Sequence, residues 1–296
     1  MNSLRDRLKQ GGVIAPGAHD ALTAVLARQA GFESVYVSGF AFEATQLGAP
    51  DMGLATMSEL ATHVSHIVNA TNLDVICDVD TGFGGPNSLH RTVREFERLG
   101  AAAIQIEDQA DPKRCPFLGG RKVVDRETAT ARIRIAVESR TGNDMLIIAR
   151  TDAYEISMTE VVERCRLFVE AGADLVLPMV RSLDGRPITD RTPLERMRIY
   201  EELVGRIGHP IVTLDPPPGY SAQDLFDIGV SMVILPLACL EAATTAALNY
   251  FDSLRGTGSS EAYSAATPPR LAANLDMMRV LGLDEYVRRD EAIAGR

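Results

Sequence analysis

Lysine is nearly missing from this chain. Lys9, Lys113 and Lys122 are the only three among 30 basic residues in 296. Two of them fall within ten residues of each other, which marks that segment for inspection. Cysteine is sparse as well: Cys77, Cys115, Cys165 and Cys239 lie far apart and form no C-x-x-C. Neither a zinc cage nor a disulfide framework is indicated, and reduced thiols are expected. No run of about 18 apolar residues occurs, which excludes a membrane-spanning helix. The opening Met1–Lys9 is a charged helical pattern without an apolar h-region, so no secretory signal is read there and a cytoplasmic protein is expected. There is no P-loop, and the first turn, Pro16-Gly17-Ala18-His19-Asp20, is not G-x-G-x-x-G. A basic excess is missing too. The formal charge of −10 argues against nucleic-acid binding. An anionic substrate stays open, because a bound cation can reverse the local sign.

What is present is a foldable core. A chain that is 46% hydrophobic is not disordered. Short β-branched runs alternate with amphipathic stretches, and predict strands at Val13–Pro16, Ser34–Ser38, Leu73–Asp80, Ala101–Glu107, Met145–Thr151, Ala173–Met179, Pro210–Leu214 and Val230–Leu235. Helices are predicted at Ala21–Ala30, Ser88–Leu99, Arg126–Arg140, Thr159–Ala171 and Pro193–Ile207. Asp20, Ser88, Asp125 and Thr159 serve as caps, and Gly31, Gly100 and Gly172 as stops. Eight strands alternating with helices fit an α/β fold of the (β/α)8 TIM-barrel type better than a doubly wound sheet. The expected division is a catalytic barrel over 1–255 and a helical extension over 256–296. The pattern is purely helical at Leu240–Leu254 and Arg270–Arg296, with a flexible joint at Gly256–Ser260. The tail is too short for a domain of its own and is expected to dock on the barrel or on a neighbouring subunit.

Barrel active sites lie at the C-terminal strand ends. The third strand ends in Asp78-Val79-Asp80, two carboxylates expected on one face; the fourth ends in Glu107-Asp108. Clustered hard oxygen ligands suit Mg2+ or Mn2+, although such acids also cap helices or pair with arginines. Arg150, ending the fifth strand, can grip a carboxylate or form an ion pair with Asp152 or Glu107. Ser38-Gly39 ends the second strand and gives a ligand access to backbone N–H groups. The connection from Gln109 to Lys122 is long enough for a lid. On it, Lys113 and Arg114 are expected to favour the thiolate of Cys115, whereas Cys77, Cys165 and Cys239 read as inert. His63 and His66 read as exposed helical residues, and His19 either approaches the barrel mouth or packs beside the Asp20 cap.

These residues carry a resemblance. Ser38-Gly39, Gly48-x-Pro50-Asp51, Asp78-Val-Asp80-Thr-Gly82-Phe-Gly84, Ile106-Glu107-Asp108-Gln109, Pro112-Lys113-Arg114-Cys115 and Ala149-Arg150-Thr151-Asp152 resemble the isocitrate lyase/phosphoenolpyruvate mutase superfamily, in order and spacing, across about residues 10–250. The likeness is greatest to the 2-methylisocitrate lyase branch and its small relatives, among them dimethylmalate lyase, carboxyphosphonoenolpyruvate mutase and oxaloacetate decarboxylase. The resemblance implies Mg2+, with Mn2+ able to substitute, held by Asp78, Asp80 and Glu107 largely through water. It implies that Ser38, Gly39, Asp51 and Arg150 bind the pyruvate-like half of a small carboxylate substrate. Retro-aldol cleavage of a 2-hydroxy acid would follow, with Cys115 as general acid. Tyr36, on the second strand, joins Cys115 and Arg150 in the expected catalytic set. A homotetramer in which the last helix swaps onto a neighbour is implied as well.

Four departures from the lyase pattern stand out: Pro116-Phe117 after the cysteine, Met179 in place of a glutamate, Leu214 in place of an asparagine and Phe40 in place of a glycine. With Phe40, Met179 and Leu214 as substrate-binding residues beside Phe117, the half of the site that reads the second fragment becomes apolar. That points away from isocitrate or 2-methylisocitrate and towards an alkyl-bearing substrate. The competing expectations are a decarboxylase or hydrolase of a 3-substituted pyruvate such as oxaloacetate or phosphonopyruvate, a mutase-type isomerase, and a 2-oxo-acid-binding paralogue without turnover.

Overall fold

The structure, a computed structural model, describes residues 3–266 and 274–294. The eight apolar runs become eight parallel strands: β1 (Val13–Pro16), β2 (Ser34–Val37), β3 (Asp74–Asp78), β4 (Ala103–Glu107), β5 (Leu146–Thr151), β6 (Leu175–Pro178), β7 (Val212–Thr213) and β8 (Met232–Leu235). Every residue of β2, β4, β5 and β6 is buried, as strands covered on both faces require. β2 to β6 pair in sequence order, and β1, β8 and β7 form a second run. Single parallel bridges, Gly17 to Tyr36 and Val176 to Ile211, join the two runs at both sides. The sheet therefore closes into the expected (β/α)8 barrel.

Local chemistry sets the helix ends. Asp20 accepts from the Thr23 N–H and Thr23 answers, a reciprocal cap that starts Ala21–Gln29. Thr56 with Glu59 does the same for Met57–Ala70, and Thr192 with Glu195 for Pro193–Ile207. Two expected caps move upstream. Pro86, which has no N–H to satisfy, opens its helix from Gly85 rather than Ser88. The Ser157 hydroxyl accepts from the Glu160 N–H, so Met158–Glu170 starts before Thr159. Gly100, at φ 85°, ends Pro86–Leu99 in a left-handed turn that a side chain would strain.

Beyond β8 the chain is helical: Ala238–Thr257, Glu261–Ala266, Asn274–Val280 and Leu283–Ala294. The first of these runs through Gly256 and turns only at Gly258, so the expected joint is shorter than Gly256–Ser260. Of the predicted Arg270–Arg296 stretch, 270–273 and 295–296 lie outside the described residues. The tail touches the barrel where the Gln29 amide donates to the Val280 carbonyl at 3.2 Å. Leu248, Phe251, Leu275, Met278, Tyr286 and Ile293 remain exposed on these helices. No helix among the described residues is long and apolar enough to cross a membrane.

Candidate active site

Strand register brings the site together. β3 against β4 sets Asp78 beside Gln105, and β4 against β5 sets Glu107 beside Arg150. At this end of the barrel lies a cavity of about 330 Å3, lined by Tyr36, Ser38, Phe40, Asp51, Asp78, Glu107, Cys115, Arg150, Met179 and Leu214, among others. That volume suits a small ligand. Asp80 arrives differently from the expectation. β3 stops at Asp78, and Asp80 adopts φ 50°, so strand alternation does not put the two acids on one face. A left-handed turn carries Asp80 round instead, and its N–H donates to Asp78 Oδ1 at 3.1 Å. Gly39 packs against this turn: a methyl group there would sit 3.4 Å from Asp80 Oδ1, 3.6 Å from Lys113 Nζ and 3.9 Å from Asp78 Oδ2.

The electrostatics are those of a buried anionic cluster held by two cations. Lys113 Nζ bridges Asp51, at 2.8 Å, and Asp80. Burial alone would lower the Lys113 pKa, but the carboxylates around it, Asp80 foremost, outweigh that and keep the ammonium charged. Arg150 contacts Asp152 at 2.8 Å, Glu107 at 3.1 Å and Asp78 at 3.9 Å while still facing the cavity, so the ion-pair and ligand-gripping readings both hold. Asp108 is structural: it accepts from Thr151 Oγ1 and the Asp152 N–H and pairs with Arg164. Burial drives Asp80 up to about 7 and Glu107 well above the usual carboxylate range. Asp152 and Asp108 are covered by Arg121 and Arg164. Asp51, Asp78, Asp80 and Glu107 are then ion-paired only with Lys113 and Arg150, and with all four ionised the excess of negative charge equals that of one divalent cation.

Among the described residues no three acidic, His or Cys side chains converge into a ready metal cage. Lys113 lies on Asp80, which borders a neighbouring groove rather than the main cavity. The residues nevertheless fit a hydrated divalent cation. Hard oxygen donors are in anionic excess, and Glu107 Oε1 is buried with no hydrogen-bond partner.

The long β4 connection folds over the cavity. Gln109 pins both ends, through its bridge to Val123 and through side-chain bonds with the Arg114 N–H, at 2.9 Å, and carbonyl, at 3.1 Å. Cys115, carried on this connection, is buried and lines the cavity. The expected thiolate is not supported: burial, with Asp51 beside the sulfur, pushes the thiol up to about 11. Lys113 spends its charge on Asp51 and Asp80, and Arg114 turns away to the Gly119 carbonyl at 3.2 Å. Tyr36 is buried and donates to Gln105 Oε1 at 2.9 Å; burial, then Asp78, raises its pKa further, so the phenol stays protonated.

Phe40, Met179 and Leu214 line the cavity, and Phe117 of the lid stands edge-on to Phe40 with ring centroids 6.3 Å apart. That wall is not wholly apolar, as the sequence had suggested, because Arg181 belongs to it and lies over the Phe117 ring at 4.5 Å. His63, expected on the surface, is buried against Phe42, which lowers its pKa; His66 is exposed. His19 packs beside Asp20, Nε2 to Oδ2 3.9 Å, away from the cavity. Sequence reading missed Gln105, although it shares the β4 face of Glu107 at a spacing of two. It also missed Glu43, whose carboxylate accepts from the Met52, Leu54 and Ala55 N–H groups and so holds the loop that carries Asp51.

Comparison with known proteins agrees with this geometry. Residues 4–255 match the family model described as phosphoenolpyruvate phosphomutase. The chain is 38% identical to 2,3-dimethylmalate lyase of Eubacterium barkeri over 82% of its own length and 81% of that protein's. A solved 2,3-dimethylmalate lyase, a member of the PEP mutase/isocitrate lyase superfamily, superposes with a TM-score of 0.84 at 31% identity, covering 99% of this chain and 96% of that one. The 2-methylisocitrate lyase of Aeropyrum pernix is 35% identical over 95% of this chain and 87% of its own. Phosphonopyruvate hydrolase, solved with oxalate and Mg2+, aligns with a TM-score of 0.81 at 29% identity over 98% of this chain and 96% of its own.

Proposed function

The chain belongs to the phosphoenolpyruvate mutase/isocitrate lyase superfamily, and we propose that it is a divalent-metal-dependent carbon–carbon lyase that releases pyruvate, or a close 2-oxo acid, from a 2-hydroxy dicarboxylate. The observation that carries this reading is a buried thiol on the lid, Cys115, lining one cavity with Arg150 and the carboxylates Asp78 and Glu107. Asp78, Asp80 and Glu107 would hold the metal through its water, Mg2+ by preference, in keeping with their hard oxygens and with the ion named in the hydrolase complex. When bound, the metal supplies Lewis-acid stabilisation of oxygen charge on the 2-oxo half. Arg150, beside Glu107 and Asp78, grips that half, and the Ser38–Gly39 turn and Asp51 enclose it. Lys113 clamps the lid by pairing with Asp51 and Asp80, which excludes water. Tyr36, whose one proton is held by Gln105, accepts from the substrate 2-hydroxyl and so orients it. The 2-hydroxyl gives its proton to the buried carboxylate cluster as its oxygen becomes the 2-oxo carbonyl, the C2–C3 bond breaks with its electron pair leaving on C3, and Cys115 Sγ–H protonates that carbon of the departing fragment.

The wall of Phe40, Phe117, Met179 and Leu214 favours an alkyl group on that fragment, each buried methylene contributing about 0.8 kcal/mol. Release of a 2-oxo acid, coupled to NADH oxidation, tests the reading across malate (which would give glyoxylate), 2,3-dimethylmalate, 2-methylisocitrate, oxaloacetate and phosphonopyruvate (which would give pyruvate). The expected order puts alkyl malates first. Preference for the tricarboxylate by tenfold or more would overturn the alkyl specificity, and turnover of only the 2-oxo acids would overturn the lyase reading.

The assembly proposed is a homotetramer with exchanged C-terminal helices, in keeping with the apolar side chains exposed along Ala238–Thr257 and Leu283–Ala294. Light scattering is expected to give four times the 32.0 kDa chain mass, and truncation after Thr257 to lower it; a monomeric full chain would reject this.

A further inference from the structure

We infer that Arg181 is the receptor for the carboxylate on the departing fragment, so that the enzyme selects substrates with one carboxylate at each end and an alkyl face between. This rests on the lyase reading above. Arg181 follows β6 by three residues, and its main chain is fixed by a small hairpin: Ser182–Leu183 pairs with Arg186–Pro187, and the Ile188 N–H donates to the Arg181 carbonyl at 2.8 Å. The backbone is thus held before any ligand arrives, and binding need not order it.

The side chain lines the same cavity as Met179 and Leu214, forms no contact with the Arg150–Glu107 pair, and sits against Phe117 of the lid. Its guanidinium carbon lies over the Phe117 ring, 4.5 Å from the centroid. The other deep cations of the site are already committed: Lys113 to Asp51 and Asp80, Arg150 to Asp152 and Glu107. Arg181 makes no ion pair with any described residue; Asp215 and Tyr200 are near it but not bonded to it. Half-burying a guanidinium without a counter-ion is costly unless something supplies the anion, and here the open side faces the cavity. A planar fork already held over a ring leaves its N–H edge for a bidentate carboxylate.

The surroundings limit what that anion is. Phe40, Met179 and Leu214 carry no charge, Arg114 on the same cavity is turned to the Gly119 carbonyl, and Asp215 and Glu241 add negative charge, so one carboxylate is accepted beside Arg181 and any other is left unpaired. A malate-type diacid with alkyl substituents meets both conditions. A tricarboxylate fails the second and a hydroxy monocarboxylate fails the first.

Calorimetric titration of the Mg2+-loaded protein in a Cys115→Ser background, with Arg181 intact as the wild-type arm, tests the assignment without turnover of the diacids. Oxalate probes the 2-oxo half alone, lactate lacks the second carboxylate, and malate and 2,3-dimethylmalate possess it. Wild type is expected to bind both diacids more tightly than lactate. Arg181→Gln is expected to weaken 2,3-dimethylmalate by about 100-fold, the loss typical of truncating one partner of a buried charge pair, with oxalate unchanged within threefold. Arg181→Lys, which keeps the charge and loses the fork, is expected to fall between. The inference is overturned by wild-type affinity no better for the diacids than for lactate, by diacid affinity in Arg181→Gln within threefold of wild type, or by an equal loss of oxalate, which would mark a structural role. Absence of pyruvate release by the enzyme with Cys115 and Arg181 both intact overturns the lyase reading instead, and leaves the binding result to judge Arg181.

Discussion

Removal of divalent cations is expected to abolish turnover, and Asp78→Ala to lower kcat/KM by about 10³-fold or more, corresponding to several kcal/mol of transition-state charge stabilisation. The physical ground is the charge balance of the pocket. Asp51, Asp78, Asp80 and Glu107 are all at most 9% exposed, and Lys113 and Arg150 leave part of their charge uncompensated. Without a cation the cluster relieves itself by taking up protons, as the raised pKa values of Asp80 and Glu107 indicate. Asp78→Ala is the cleaner substitution. Asp80→Ala also frees Lys113 from one of its two carboxylates and so disturbs the lid. Binding has a readout besides activity: saturating Mg2+ is expected to raise Tm, by the equivalent of about 2.7 kcal/mol at one hundred times its Kd. In Asp78→Ala that gain is expected to shrink. Full turnover in excess chelator, or an unchanged Tm with Mg2+, would remove the metal from this account.

The barrel was legible because its determinants are local and repeated. Eight β-branched runs between capped helices leave few other topologies, and the runs erred only at their ends. The error at β3 is instructive. Period-two reasoning carried the strand through Asp80, but Asp80 turns left-handed so that its carbonyl can accept the Glu107 N–H at 2.9 Å. The site residues were legible in identity but not in charge state. Adjacent Lys113 and Arg114 suggested a thiolate at Cys115; three-dimensional pairing sends one cation to Asp51 and Asp80 and the other to a carbonyl. Arg181 left no mark in the sequence that sets it apart from the other arginines. Its significance depends on the absence of a partner, which only the folded arrangement of β6, the hairpin and the lid reveals.

Cys115→Ser is expected to lower lyase turnover by about 10²–10⁴-fold while leaving oxalate binding intact. A hydroxyl in the same place is a far weaker acid than a thiol, and protonation of the departing carbon is the step that suffers. The environment of Cys115 suits an acid rather than a nucleophile. Burial is the largest influence, Asp51 adds to it, and together they outweigh Lys113 and bring the thiol to about 11. The acid form is therefore fully present at neutral pH and is lost only as pH rises through that value. Two consequences separate this from a nucleophilic cysteine. Alkylation by iodoacetamide is expected to be slow at pH 8 and to accelerate towards pH 11, whereas a thiolate stabilised by Lys113 and Arg114 would react rapidly at pH 7. Any alkaline fall in kcat/KM assigned to Cys115 is expected near pH 11, provided the fold survives there, rather than near the free-thiol value of about 8.5. A Cys115→Ser enzyme with wild-type pyruvate release would take the proton-donor role away from Cys115 and shift the balance to decarboxylation or hydrolysis of a 3-substituted pyruvate, reactions in which no departing carbon acid has to be protonated from the lid.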